Sequence, residues 1–268
     1  MDSPDTKPTI IKTDFIYPEI KSSDRVYGAG LVGPILRENG DWSDYLPPEE
    51  EQNIRGIESS ACFIEAPQHV IATIQEEEFL EKDRNYSARF NALLAGGTPQ
   101  GGDPIKGAKS IKFDGLVDDA EMPFGADIES WEDFHSFKGV NARRIKDLAQ
   151  KWLSDWRVDF KIVLEKDDPI DLKYIKLNEA LKRSPVAISV SAWYEKGGIY
   201  FKPEGARDNH MVEAVFLDDQ NRIHVRDTYS PFSKILAPYY DCEFGLGWVV
   251  NRKVKVNWFI DLIHRLWK

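Results

Sequence analysis

The chain of 268 residues is 42% apolar and 30% charged, which is typical of a soluble globular protein with one sizeable domain or two lobes around a cleft. A formal net charge of −10 argues against the basic surface that nucleic-acid binding requires, so we expect no nucleic-acid partner. Two cysteines are too few for a disulfide framework, and no apolar run is long enough to span a membrane.

The N-terminal sequence MDSPDTKPTIIKTD lacks the basic start and apolar core of a signal peptide. We therefore expect a cytoplasmic protein, or one released by another route such as lysis. Residues 1–40 are predicted to form an N-terminal extension. Its glycines Gly28, Gly30 and Gly33 match the dinucleotide-binding pattern G-x-G-x-x-G. Pro34 follows at once and leaves no room for the long helix that a nucleotide site needs.

The segment 41–165 is predicted to be a largely helical lobe. Ser59 and Ser60 are N-cap candidates for a helix in ACFIEAPQHVIATIQEEEFL, whose apolar residues recur at helical spacing. Cys62 would then lie in the first turn of that helix. Pro67 should kink the helix or delay its regular start, because proline removes a backbone donor.

Short strands dominate the segment 166–256, which is predicted to be a β lobe. PVAISVSAWY, NHMVEAVFLD, RIHVRDTY and GWVVNRKVKV combine alternation, β-branched residues and turn signals. Helices first and strands later predict an α+β protein with a helical lobe and a β lobe. The aromatic tail 257–268 is predicted to be an amphipathic helix that packs on its own domain or contacts a partner or an interface.

Cys62, taken alone, is more simply interpreted as a buried apolar residue, because cysteine is among the most buried residue types. The alternative is a nucleophile. A thiol attacks an acyl carbon as the thiolate, and a helix N-terminus or a nearby imidazolium lowers the pKa of a thiol. A nucleophile also needs a histidine, a group that orients the histidine and a donor for the oxyanion.

His210 is the best histidine candidate for such a site. It opens the strand NHMVEAVFLD, and the turn DDQN predicts a hairpin with the strand that ends at Asp227. This hairpin would bring Asp227 beside His210. Each residue alone is more simply interpreted as structural, the first as a hydrogen-bonded histidine and the second as a turn carboxylate.

The order of these segments resembles the papain-like cysteine proteases. In that family a Gln precedes a Cys-aromatic pair at a helix start, an Asp/Asn-His run opens a later strand, and an Asn-Ser-Trp run ends the next strand. SSACFIEA, NHMVEAVFLD and VRDTYS stand here in the same order. KLNEALKRSPVAISVSAW is similar to the family's helix and Pro-Val strand before the histidine. The resemblance covers residues 44–250.

The resemblance implies a papain-like two-lobed fold with the cleft between the lobes. It also implies a cysteine peptidase that acts on protein or peptide substrates without a metal or a cofactor. Cys62 would be the nucleophile, and His210 the general base and later the general acid. Asp227 would orient His210 in place of the family's Asn.

Two further parts of the site are implied by the same resemblance. Gln52 matches the oxyanion glutamine, whose side chain would join the Cys62 backbone N–H in the oxyanion hole. In the loop GGTPQGG, Gly101 and Gly102 match the Gly-Gly edge that pairs with the substrate backbone.

The chain also departs from the family pattern. The loop from Gln52 to Cys62 is longer than in the family, Phe63 and Tyr229 replace the usual tryptophans, and the charge of Asp227 would stabilise a histidinium. Two alternatives stay open: a catalytically weak papain-fold binding or virion component, and another Cys-His-Asp acyl-transfer enzyme of amidase-like or transglutaminase-like type. The divergence resembles bacterial and bacteriophage members of the family, which implies a cytoplasmic or virion-associated protein.

Overall fold

The computed structural model describes residues 16–18, 33–191 and 194–253. Gly28, Gly30 and the tail 257–268 lie outside the described residues, so the predictions made for them stay predictions. The described helices are α1 (Cys62–Phe79), α2 (Ala88–Ala95), α3 (Pro104–Asp114), α4 (Trp131–Phe134), α5 (Ala142–Asp155) and α6 (Ile170–Leu181). The described strands are β1 (Asn53–Ile54), β2 (Ile57–Glu58), β3 (Trp156–Leu164), β4 (Val186–Val190), β5 (Tyr194–Lys196), β6 (Ile199–Phe201), β7 (His210–Leu217), β8 (Ile223–Arg226), β9 (Ser233–Leu236) and β10 (Gly245–Arg252).

One sheet organises the second half of the chain. Its eight strands follow the order β3-β10-β4-β7-β8-β9-β6-β5, and β1 pairs with β2 in a separate small hairpin. The neighbours β6 and β9 are parallel, whereas the other pairs are antiparallel. The prediction of an α+β fold with helices first and strands later is confirmed, and the sheet is mostly antiparallel. The sheet crosses the predicted lobe boundary at 165, because β3 pairs with β10. The division into lobes stays a prediction.

Helix α1 is the element around which the rest is packed. It contacts β7, β4 and β10 on one side and α2 and α3 on the other. Every residue from Cys62 to Gln75 is buried, as is typical of a helix enclosed by other elements.

The start of α1 differs from the sequence prediction. Ser59 and Ser60 are not its N-caps, because the N-cap is Ala61, which has no side-chain capping bond. The Ser59 hydroxyl instead accepts the Ala61 N–H at 3.3 Å. The helix begins at Cys62 and continues through Pro67, so the predicted delay of its start is wrong.

Pro67 removes the backbone donor that would reach the Phe63 carbonyl one turn earlier. Helix α3 packs closely at this point. A Cβ added at Gly107 would lie 2.9 Å from the Phe63 carbonyl oxygen. The glycine therefore lets α3 approach α1 where the helical hydrogen-bond ladder is interrupted.

A buried polar contact joins α1 to β7. Thr73 Oγ1 donates to Glu213 Oε1 at 2.8 Å, and Glu213 is fully buried. Burial raises the pKa of Glu213 to about 7, although His69, Thr73 and Arg226 act in the opposite direction. Burial therefore favours the neutral, protonated form of the Glu213 carboxyl.

Glu213→Gln is expected to reduce the pH dependence of the free energy of unfolding. A carboxyl whose folded pKa is raised stabilises the fold while it is protonated, and this contribution is lost as pH rises from the unfolded pKa of 4.5 through about 7. The loss from this group is at most about 3 kcal/mol. Urea unfolding at acidic and at mildly alkaline pH measures it.

The exposed Glu204 supplies the control for this measurement. Glu204→Gln should lose as much stability between the two pH values as the parent, whereas Glu213→Gln should lose less. Equal losses in all three proteins would contradict the assignment of the pH dependence to Glu213.

Candidate active site

The β7–β8 hairpin brings two of the predicted site residues into contact. His210 is the first residue of β7, and Asp227 directly follows the last residue of β8. Because the strands are antiparallel, these two ends are neighbours, and His210 Nε2 lies 2.7 Å from Asp227 Oδ1. The predicted hairpin is confirmed. Because Nε2 of His210 is bound to Asp227, Nδ1 is the ring nitrogen that can exchange a proton with another group.

Asp227 is held as a carboxylate by several donors. Its Oδ1 also accepts the backbone N–H groups of Thr228 at 2.6 Å and Tyr229 at 3.3 Å, while Lys234 Nζ donates to Oδ2 at 2.6 Å. Burial acts to raise the pKa of Asp227, but His210 and Lys234 outweigh it and hold that pKa below its ordinary value. An ionised Asp227 therefore fixes the ring of His210.

Cys62 lies at the N-terminal end of α1, against the strand that begins with His210. The backbone of Met211, the residue after His210, lies close enough to the Cys62 thiol to lower its pKa. The packing of α1 on β7 therefore brings Cys62 to the start of the strand that carries His210 and close to Asp227.

Cys62 is surrounded by groups that disfavour its thiolate in the structure described. Cys62 is fully buried, and burial raises the pKa of its thiol well above the ordinary value. Nearby Glu65 and Glu58 raise this pKa further, while the backbone of Met211 lowers it. In this state Cys62 is a neutral thiol.

Gln52 is buried and hydrogen-bonded to Thr228, in the segment that follows β8. Its backbone N–H donates to the Thr228 carbonyl at 3.0 Å, and its Oε1 accepts from Thr228 Oγ1 at 3.0 Å. Its Nε2, the predicted oxyanion donor, donates instead to Glu58 Oε1 at 2.6 Å. The oxyanion role of Gln52 stays a prediction.

Glu58 is a site residue that the sequence reasoning missed. The long loop between Gln52 and Cys62 forms the β1–β2 hairpin, which ends at Glu58. Besides Gln52, Glu58 accepts the Ser60 N–H at 3.1 Å on Oε1 and the Tyr229 hydroxyl at 2.6 Å on Oε2. The inserted hairpin thus places a carboxylate among donors beside the candidate triad.

The glycine edge has a geometry that requires glycine. Gly101 has a φ of 87° and exchanges backbone hydrogen bonds with Thr98. A Cβ added at Gly102 would lie 2.2 Å from Phe63 Cζ, so the ring of Phe63 fills the space beside the backbone. The Gly102 carbonyl accepts the backbone N–H of Ile16 at 3.3 Å.

Residues 16–18 reach from this edge to the sheet. The Tyr17 ring packs edge-on against Phe244 with 6.3 Å between centroids, and the Tyr17 hydroxyl donates to the Glu243 carbonyl at 3.2 Å. Part of the N-terminal extension therefore contacts both the glycine edge and the start of β10.

Other chemistry is limited in the part of the chain that the structure describes. Cys242 is a buried thiol whose pKa is raised by burial. Within residues 16–18, 33–191 and 194–253, no group of three His, Cys, Asp or Glu side chains is arranged to hold a metal ion. In the same ranges, no helix combines the length and apolarity needed to cross a membrane.

Comparison with known proteins identifies the fold. Neither a protein-family model nor a curated protein matches the chain. Solved structures do match it. Xylellain, a cysteine protease from Xylella fastidiosa, is 15% identical with a TM-score of 0.62, over 92% of this chain and 98% of its own.

Two further structures agree with this match. The proform of Amb a 11, a ragweed pollen cysteine protease, is 16% identical with a TM-score of 0.58, over 85% of this chain and 70% of its own. The recombinant stem bromelain precursor is 15% identical with a TM-score of 0.54, over 91% of this chain and 76% of its own. The chain has a divergent papain-like α+β fold, as its resemblance implied. The bacteriophage placement stays a prediction.

Glu58→Gln is expected to lower the pKa of Cys62, because Glu58 is one of the charges that raise it. The thiolate fraction at a given pH below that pKa should rise by about threefold or more, since one pKa unit is a factor of ten. Thiolate absorbance, titrated in a Cys242→Ala background and corrected with Cys62→Ser, measures the change. Glu204→Gln is the control, and a Glu58→Gln titration that overlays it would contradict the expectation.

Proposed function

We propose that the protein is a cysteine-type peptidase in which Cys62, His210 and Asp227 form the catalytic triad. The observation that carries this proposal is the buried His210–Asp227 pair, with Nε2 to Oδ1 at 2.7 Å, at the strand end against which α1 places Cys62. The fold supports peptide hydrolysis over other acyl chemistry, because xylellain and Amb a 11 are cysteine proteases. The proposed substrate class is protein or peptide.

The proposed reaction has two halves. Cys62 Sγ transfers its proton to His210 Nδ1 and attacks the substrate carbonyl carbon, with the oxyanion held by the Cys62 backbone N–H and Gln52 Nε2. Collapse breaks the C–N bond, and His210 gives its proton to the leaving amine. Water then attacks the thioester with His210 as base, and the carboxylic product leaves the restored Cys62 thiol.

The state described is a latent one in this proposal. Cys62 is protonated and buried, Gln52 Nε2 is held by Glu58, and the Gly102 carbonyl is held by Ile16. A substrate would need all three groups. Residues 16–18 are therefore proposed to occupy part of the substrate cleft, and activation requires that they and the Glu58 carboxylate move.

Covalent labelling of Cys62 tests the triad. In a Cys242→Ala background, a peptidyl epoxide should label Cys62 at mildly acidic pH through an open population, in which we expect Cys62 and His210 to form a thiolate–imidazolium pair. His210→Ala is expected to slow labelling by about a hundredfold, in the range of general acid–base contributions. Peptide mapping identifies the labelled residue. Labelling that follows an ordinary free thiol in both proteins would overturn the proposal.

Tyr17→Ala tests latency. Removing the ring that packs on Phe244 should weaken the hold of residues 16–18, so the initial labelling rate is expected to rise by about threefold or more through a larger open population. Tyr239→Ala, which truncates an exposed tyrosine, is the matched control. Equal rates in the two variants would show that residues 16–18 do not limit access.

A catalytically weak binding protein is the second candidate, and the occupied Gln52 and Gly102 groups favour it. Product analysis on a peptide library separates the possibilities. New peptide termini indicate a peptidase, and transfer to an added amine or release of a side-chain amide indicates the amidase-like or transglutaminase-like alternative. Binding without any product indicates the weak binding protein.

A further inference from the structure

Lys234 contacts Asp227 from a third strand. It lies on β9, opposite Val225 of β8, so its side chain reaches the residue that follows β8. Its Nζ donates to Asp227 Oδ2, to the Tyr229 carbonyl and to the Pro231 carbonyl, each at 2.6 Å.

This contact is deeply buried on both sides. The Lys234 side chain is 3% exposed and the Asp227 side chain 0%. A buried carboxylate or ammonium destabilises the fold unless it is paired and hydrogen-bonded. Asp227 and Lys234 are each other's charged partner. The two oxygens of Asp227 divide their partners, with Oδ1 facing His210 and Oδ2 facing Lys234.

We propose that Lys234 is a positioning residue that neutralises Asp227, so that the buried pair offers His210 a neutral acceptor of the kind that Asn supplies in the papain-like pattern. An uncompensated Asp227 would bind the imidazolium more strongly than Asn does and oppose the return of its proton to the leaving amine. With Lys234 in place, Asp227 Oδ1 orients the ring while the net charge of the pair is zero. The inference rests on the proposed function for its catalytic meaning.

Several other charged or titratable groups face this cluster. Tyr229 lies beside His210, with 5.2 Å between the ring centroids, and Cys62 lies near Tyr229. Lys234 Nζ lies 5.6 Å from the centroid of the Tyr200 ring. Glu51 lies near the pair: burial and Asp227 raise its pKa, and Lys234 lowers it. Tyr229, Tyr200 and Glu51 are unchanged in every variant below, and residue 62 is the same in all variants that are compared, so a change can be assigned to the pair.

The experiment follows the His210 ring by NMR as pH is varied, in the full chain with Cys62→Ser to avoid a coupled thiol titration. Lys234→Met should raise the titration midpoint of His210 by about one pH unit, which is a factor of ten in the proton-binding constant. The reason is that Asp227 beside His210 then has no counter-charge. Lys234→Arg keeps the charge and should leave the midpoint near that of the parent.

The second half of the experiment removes both charges. Asp227→Asn alone leaves the Lys234 ammonium without its carboxylate and should lower the His210 midpoint. The Asp227→Asn/Lys234→Met double variant has a neutral acceptor and no buried ammonium, so its midpoint should return close to that of the parent. Asp227→Asn and the double variant also test the proposal if Lys234→Met alone does not fold.

The outcomes separate a positioning role from a purely structural one. A structural Lys234 that only ties Asp227 to the Tyr229 and Pro231 carbonyls would lower the melting temperature without moving the His210 midpoint. An unmoved midpoint in Lys234→Met, or a double variant that titrates like Asp227→Asn, overturns the proposal.

The same variants, with Cys62 restored, separate this proposal from the proposed function. The NMR titration needs no turnover, so the expected midpoints without peptide cleavage would uphold the pair and reject the peptidase. Peptide cleavage with unmoved midpoints would reject the pair and uphold the peptidase. Where both hold, the alkaline limit of kcat/KM should shift with the His210 midpoint.

Discussion

A fully buried carboxylate, Asp227, determines how this half of the molecule is assembled. A carboxylate in such a position is tolerated only when every charge and lone pair finds a partner. Its partners come from two strands and the turn between β8 and β9: His210 lies on β7, Thr228 and Tyr229 lie in the turn, and Lys234 lies on β9. The register of three strands is thus fixed by one polar centre, in addition to the apolar faces of the sheet.

The same centre extends into the helical part of the chain. Thr228, which donates its backbone N–H to Asp227, also binds the side chain and the backbone of Gln52. Gln52 in turn binds Glu58, whose other oxygen accepts the hydroxyl of Tyr229. The two sides of the candidate site are therefore joined by a continuous hydrogen-bond network, and a change at one donor is felt by the others.

The surroundings of Cys62 disfavour the thiolate form in the structure described. Burial is the largest influence on the pKa of Cys62, and the neighbouring carboxyl groups of Glu65, Glu58 and Asp227 raise it further. A helix N-terminus and a histidine are present, yet they act within a dry and acidic surrounding. The reactivity of this thiol therefore depends on how much water and which counter-charges reach it.

Local patterns in the sequence were sufficient to locate the main elements and the triad candidates. The turn DDQN and the flanking alternation predicted the β7–β8 hairpin, and with it the contact of His210 and Asp227, because a hairpin is a local structure. Helical spacing likewise placed Cys62 in the first turn of α1. The resemblance to papain-like proteases then ordered these pieces into the fold that the structural comparisons support.

What could not be predicted depends on contacts between distant segments. The N-cap of α1 is decided by how Ser59 and Ser60 are drawn into other bonds, and Glu58 reaches its partners only because the longer loop forms a hairpin. Lys234 could have been sought, since an Asp in place of Asn needs a counter-charge. Its strand, however, has no local feature that marks it as the one beside Asp227.

The position of β10 has a consequence for the way the chain acquires its structure during synthesis. β10 is the last strand described, yet it lies between β3 and β4 and pairs with both. Until the ribosome has added β10, β3 and β4 each lack the described strand that lies between them. The pairing of β10 with β3 joins segments that are far apart in the sequence, and contacts of such long sequence separation form slowly. A nascent chain carries β7 and β8, and so His210 and Asp227, before the strand that completes their support has emerged.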